Sequence, residues 1–136
     1  MSAADIFIDT NVLLYLLSDE ADKADRAEAL AADGATISVQ VLNEFANAAS
    51  RRMAMRLPEI RHVLWRLRAT CVVVPLDITI HERGLALAET HRFSVYDSMI
   101  IAAALQAGCR LLYSEDFSHG QVIDGLTIRN PFRSSI

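Results

Sequence analysis

Apolar and polar positions alternate along this chain in short blocks whose period keeps changing. Residues 5–8 read as a short buried strand, and its apolar part, Ile6 to Ile8, ends abruptly in Asp9 within "IFIDTNVLLY". Residues 11–17 and 21–32 read as helical, the second alanine-rich with Gly34 beyond its end as a stop. "ATIS" (35–38) predicts another short strand. Ser38 is placed to cap a helix whose apolar face is Val41, Leu42, Phe45 and Ala49. That helix ends before Pro58, because the residue preceding a proline is pushed out of helical angles, and Pro58 itself suits the first turn of a helix over 58–69.

The second half repeats the alternation. "CVVVP" (71–75) predicts a buried β-branched strand closed by Pro75. Thr79-x-x-Glu82 reads as a capping box for a helix running to about His91. Ser94-x-x-Asp97 is a second such pattern and opens "SMIIAAALQAG", with Gly108 as its stop. "RLLYS" (110–114) predicts a strand, and "LTIRN" (126–130) a last, edge-like strand before Pro131. Strands alternating with helices call for an α/β fold with a mostly parallel sheet covered on both faces. At 136 residues the chain fits one domain, 1–136, with a single core.

Composition narrows the class. A hydrophobic fraction of 52% is ample for a packed interior and leans above the globular average, which leaves room for an oligomer interface. The longest apolar runs, "VLLYLL" (12–17) and "MIIAAAL" (99–105), fall short of the ~20 residues that span a bilayer. The expectation is no membrane segment, no signal peptide and a cytoplasmic protein in which Cys71 and Cys109 are buried thiols. Net charge is −4 but uneven: residues 1–33 hold eight acids and two bases, residues 34–71 two acids and six arginines.

Candidate chemistry lies in four acids. Asp9 and Asp116 both follow apolar strands, where ligands collect in parallel sheets. Asp97 sits in the first turn of an apolar helix, and Glu44 borders the apolar stripe of its own helix. Taken singly each has a bland reading: a turn or cap for Asp9, half a capping box for Asp97, a solvated helix position for Glu44, a surface loop for Asp116. Together they would repel one another and raise each other's pKa, a conflict that a divalent cation resolves.

"FIDTNVLLY", "VLNEF", "FSVYDSMIIAAA" and "LYSEDF" resemble the four acidic blocks of the PIN domain. Their order and the chain length resemble in particular the VapC-type toxins of bacterial toxin–antitoxin pairs, from about residue 5 to the C-terminus. The last block carries adjacent acids, Glu115 and Asp116, of which Asp116, two after Ser114, fits the pattern better. The resemblance implies a three-layer αβα sandwich, Mg²⁺ or Mn²⁺ held by the acids, endoribonuclease activity, inhibition by a cognate antitoxin, and a homodimer.

On that footing Asp9, Asp97 and Asp116 are the expected metal ligands, and Glu44 binds through water or orients the attacking water. Thr10, Asn11 and Ser114 are expected as supporting hydrogen-bonders or phosphate contacts. An all-oxygen set suits Mg²⁺ or Mn²⁺ better than Zn²⁺. Without the four acids the formal charge is zero, so the negative balance does not exclude RNA. Arg51 and Arg52, about two turns beyond Glu44, are the favoured RNA contacts among Arg51, Arg52, Arg56, Arg61, Arg66 and Arg68. Of the histidines only His119 falls near a site block. An antitoxin is expected on the early helices, where "VLLYLL" has apolar residues to spare. The main alternative is a non-catalytic α/β protein-binding module whose acids are structural caps. A phosphorylated receiver domain fits poorly, because the lone lysine, Lys23, lies in an early helix.

Overall fold

The computed structural model describes residues 1–133. β1 (Ile6–Ile8) leads into α1 (Thr10–Leu13), which tightens to a 3₁₀ turn over Leu14–Leu17, and then α2 (Ala21–Ala32). β2 (Thr36–Ser38), α3 (Val39–Met53) and α4 (Leu57–Thr70) follow, then β3 (Val72–Val74), α5 (Ile78–His91) and α6 (Val95–Gln106). The chain closes with β4 (Leu111–Tyr113), β5 (Val122–Ile123) and β6 (Leu126–Arg129). The six strands form one sheet in the order β3-β2-β1-β4-β6-β5, with every pairing parallel except β5 with β6.

Successive residues of a strand point to opposite faces. Phe7 and Ile8 are both fully buried, and the neighbours Leu111 and Leu112 are buried too, so helices cover both faces of the central strands. This is the expected α/β sandwich with a mostly parallel sheet. No helix among the described residues is long and apolar enough to cross a membrane. The two cysteines are buried and free, as expected.

Local signals acted as the sequence suggests in several places. Ser38 Oγ accepts from Val41 N at 3.2 Å, and Ser94 Oγ from Asp97 N at 3.1 Å. Pro58 lies in the first turn of α4. Three expectations need correction. The cap of α5 is Asp77, whose Oδ1 accepts from Ile80 N at 2.9 Å; Thr79 and Glu82 lie inside the helix. Aspartate is at least as good a cap as threonine, and the earlier position lets the helix start directly after Asp77, at Ile78.

The strand in "CVVVP" is the sheet edge rather than a buried centre. Val72 is 50% exposed, Val73 and Val74 are half-buried, and Cys71 belongs to the end of α4. Conversely, β6 is internal; the edge beside it is β5, a strand that the hydrophobic pattern did not reveal. The turn between them is Asp124-Gly125, with φ of 49° and 88°. Two successive positive φ values make the tight hairpin for which Asp-Gly is the preferred pair.

The α5–α6 pair carries one of the candidate acids, and Gly84 sets its spacing. A Cβ at Gly84 would lie 2.6 Å from Met99 Sδ and 3.4 Å from Met99 Cα. Gly84→Ala should therefore lose more from displacing buried Met99 than alanine gains in helix propensity, for a net cost of about 1–2 kcal/mol. Urea unfolding of the two proteins measures it.

Candidate active site

The strand order reverses direction at β1. From β1 the chain crosses to β2 and β3 on one side, then returns to β4 on the other. At such a switch point the connections leaving the carboxyl ends of neighbouring strands diverge and open a crevice. Asp9 follows β1 and Ser114 follows β4, and the two strands are locked by Asp9 N donating to the Tyr113 carbonyl at 3.0 Å.

Asp9 is 2% exposed. Its Oδ1 accepts from the Thr10 amide at 2.7 Å and its Oδ2 from Ser114 Oγ at 2.7 Å. It is also the residue that caps α1, so the bland reading of Asp9 holds and does not exclude the chemical one. Ser114 Oγ in turn accepts from Asp116 N at 3.1 Å and from Asn11 Nδ2 at 3.4 Å, while Asn11 Oδ1 accepts from Glu115 N at 3.2 Å. One buried hydroxyl thus ties the first acid to the loop that carries the last.

Glu44 enters from α3. Thr10 Oγ1 donates to its Oε1 at 2.9 Å, and Gln40 Nε2 to its Oε2 at 2.9 Å. Gln40 is a site residue that the hydrophobic pattern passed over; the signal was its spacing four residues before Glu44 on one helix face. Asp97 stands in the first turn of α6, with its amide taken by the Ser94 cap. Asp9, Thr10, Asn11, Glu44 and Asp116 wall a cleft of about 570 Å³, together with Arg51, Arg52, Asn47 and Tyr96.

The electrostatics reflect burial first and the crowding of like charges second. Burial pushes the Asp9 carboxyl up to about 7; the Ser114 and Thr10 hydrogen bonds oppose this, and the charges of Asp116 and Glu44 add to it. Asp97 is also raised, first by burial and then by Asp116, against the Ser94 hydrogen bond, with Glu44 adding a smaller push. Asp116 and Glu44 therefore act on both of the other acids. Among the described residues, no three His, Cys, Asp or Glu side chains stand close enough to hold an ion as placed. The acids share a cleft rather than a closed cage. Asp116 is exposed and Asp97 only half-buried, so these are the two with room to turn inward.

The remaining candidates separate. Glu115 turns away from the cleft and accepts from Tyr15 Oη at 2.9 Å, so the neighbouring acids have different surroundings. His119 Nδ1 accepts from Asn130 N at 3.1 Å and is not in the cleft wall. Arg61 and Arg68 line a different groove, of about 990 Å³, between α3 and α4. The "VLLYLL" run mostly completes the core: Val12, Leu13 and Leu14 are buried, and Leu16 and Leu17 half-buried against α2 and α4.

A carboxyl whose folded pKa exceeds its unfolded value binds more protons when folded, so stability falls as pH rises between the two values. For Asp9 that window runs from its ordinary value of 3.8 to about 7. In metal-free protein, the melting temperature of wild type relative to Asp9→Asn should fall across that window and level off above it. Calorimetric melts at several pH values in chelator test this.

The PIN domain family profile matches residues 6–122. Solved structures similar to this chain include a toxin–antitoxin complex from Klebsiella pneumoniae, at 21% identity and TM-score 0.72, covering 95% of this chain and 99% of that one. Mycobacterium tuberculosis VapC20, described as a sarcin–ricin loop cleaving toxin, is 22% identical with TM-score 0.67, covering 82% and 89%. VapBC2 from Rickettsia felis, bound to a DNA fragment from its promoter, is 16% identical with TM-score 0.67, covering 91% and 96%. No curated protein matches the sequence.

Proposed function

We propose, for a chain that belongs to the PIN domain family, that it is a divalent-metal-dependent endoribonuclease and the toxin of a toxin–antitoxin pair. The observation that carries the reading is the meeting of Asp9, Glu44 and Asp116 in one cleft, with Asp97 under the influence of two of them. A strictly capping role does not account for this, since Glu44 and Asp116 cap no helix. The structural relatives described as toxins and toxin–antitoxin complexes support the same reading.

The donor set fits a hard divalent ion: every candidate ligand is a carboxylate oxygen, and Asp9 is a desolvated acid whose charged form lacks a cationic partner. Asp9, Asp97 and Asp116 would hold Mg²⁺ or Mn²⁺. When bound, the ion supplies Lewis acidity for hydrolysis and positive charge opposite the scissile phosphate.

The chain's own groups do the rest. Ser114 and Thr10 fix both oxygens of Asp9 and so set its orientation before substrate arrives. Glu44, already held at both oxygens by Thr10 and Gln40, orients water rather than closing on an ion. Arg51 and Arg52 hold the RNA backbone along the cleft rim, where Arg51 Nε is braced by Asn47 Oδ1 at 3.1 Å. The groove that Leu16 and Leu17 share with α2 and α4, about 240 Å³ in volume, is the docking place for the antitoxin in this reading. Self-association and a cytoplasmic setting complete it.

Purified protein should cut RNA with Mg²⁺ or Mn²⁺ and leave 5′-phosphate and 3′-hydroxyl ends. Asp97→Asn should lower the rate by at least roughly 10–100-fold, the loss typical of weaker, outer-shell disturbances of a metal site. Equal cleavage in EDTA with cyclic phosphate ends would overturn the metal mechanism. Replacing Arg51 and Arg52 together by Ala should flatten the slope of log binding constant against log salt by about 1.4, the value for two single-strand phosphate contacts. A salt titration by fluorescence anisotropy reads that slope.

A further inference from the structure

The loop after β4 presents two adjacent acids, and the structure gives them opposite fates. Glu115 accepts from Tyr15 Oη at 2.9 Å, whereas Asp116 faces the cleft. Tyr15 is itself braced. Lys23 Nζ donates to its hydroxyl at 3.3 Å and lies 4.8 Å from its ring centre, and Phe132 packs edge-on to the same ring at 4.8 Å. Lys23 is the chain's lone lysine, and a positive charge there disfavours any withdrawal of the Glu115 carboxylate.

We propose that Tyr15 and Glu115 form a strut that positions Asp116 for metal binding. This rests on the nuclease reading above. Asp116 is exposed, so packing does not hold it. What holds the loop is polar: Glu115 N on Asn11 Oδ1, Asp116 N on Ser114 Oγ, and the Glu115 carboxylate on Tyr15. The first two tethers fix the backbone from the cleft side. The third holds Glu115 on Tyr15, outside the cleft, and the bend that begins at Glu115 then leaves Asp116 in the cleft wall. It also keeps a surplus carboxylate out of a cleft whose acids already repel one another. Tyr15 and Glu115 are thus positioning residues, acting on the ion only through Asp116.

Three variants test the strut: Tyr15→Phe, which keeps the ring and removes the donor; Glu115→Ala, which removes the acceptor from an exterior loop; and Glu115→Gln, whose amide oxygen still accepts. Hydrogen exchange of the Glu115 and Asp116 amides is read in metal-free protein. Mn²⁺ affinity is read by calorimetry, and kcat and KM on a single-stranded RNA. Tyr15→Phe and Glu115→Ala should exchange these amides faster, bind Mn²⁺ roughly tenfold more weakly and lose kcat about tenfold with KM within about twofold. Glu115→Gln should recover most of all three. Unchanged amide exchange, or wild-type Mn²⁺ affinity and kcat in a Tyr15→Phe protein that merely melts earlier, would overturn the strut. A wild type that neither binds Mn²⁺ nor cuts RNA would overturn the nuclease reading, and the strut's role with it.

Discussion

A carboxylate buried at the junction of two parallel strands is the constraint around which this molecule is arranged. Asp9 sits where β1 ends, at 2% exposure. Burying an anion costs free energy unless hydrogen bonds or opposite charge offset the lost hydration. The Thr10 amide and the Ser114 hydroxyl supply the hydrogen bonds, and the second can do so only because β1 and β4 are neighbours in the sheet. The offset is partial, since the carboxyl remains at about 7. That residual conflict, sharpened by Asp116 and Glu44, is one that a bound cation would relieve.

Structure and chemistry use the same groups here. Asp9 caps α1 and offers its carboxylate to the cleft; Thr10 opens that helix and holds Glu44; Ser114 ends β4, anchors Asp9 and receives the Asp116 amide. Such sharing means that the site and the sheet's switch point form together when the chain folds. It also explains why a cap and a place in the cleft are not rival descriptions of Asp9: its carboxylate caps α1 and lines the cleft at once. The acids become informative only jointly, and the arginines likewise. Arg51 and Arg52 belong to the cleft because α3 also delivers Glu44, whereas Arg61 and Arg68, equally basic in sequence, are carried by α4 to a different groove.

Much of this was legible in the linear pattern, for physical reasons. Short apolar runs between capped helices encode a parallel sheet, and the Ser38 and Ser94 caps form where a hydroxyl precedes an apolar helix. Acids placed just after strands end up at the carboxyl edge of the sheet because the chain leaves each parallel strand there. The illegible parts depend on neighbours. Hydrophobicity alone cannot tell that "VVV" lies at the sheet edge while "LTIR" is flanked on both sides; only strand order decides that. The short β5 strand was signalled by Asp124-Gly125, a turn pair rather than an apolar pattern. Gln40 and Tyr15 reach the site's supports through helix and turn geometry, which a search for acidic blocks does not sample. Glu115 and Asp116 are alike in sequence and differ only in their surroundings, one on the Tyr15 hydroxyl and the other in the cleft wall.

The measurement closest to the central claim is the proton count that accompanies Mn²⁺ binding. With Asp9 poised at about 7, a cation entering the cleft at pH 7 displaces about half a proton per site on average, and more at lower pH. Calorimetric titration in buffers of different ionisation enthalpy should therefore show Mn²⁺ binding to wild type with net proton release, and Asp9→Asn, correctly folded, should lose both the affinity and the release. Undiminished Mn²⁺ binding by Asp9→Asn would contradict the place of the buried carboxylate at the centre of the site.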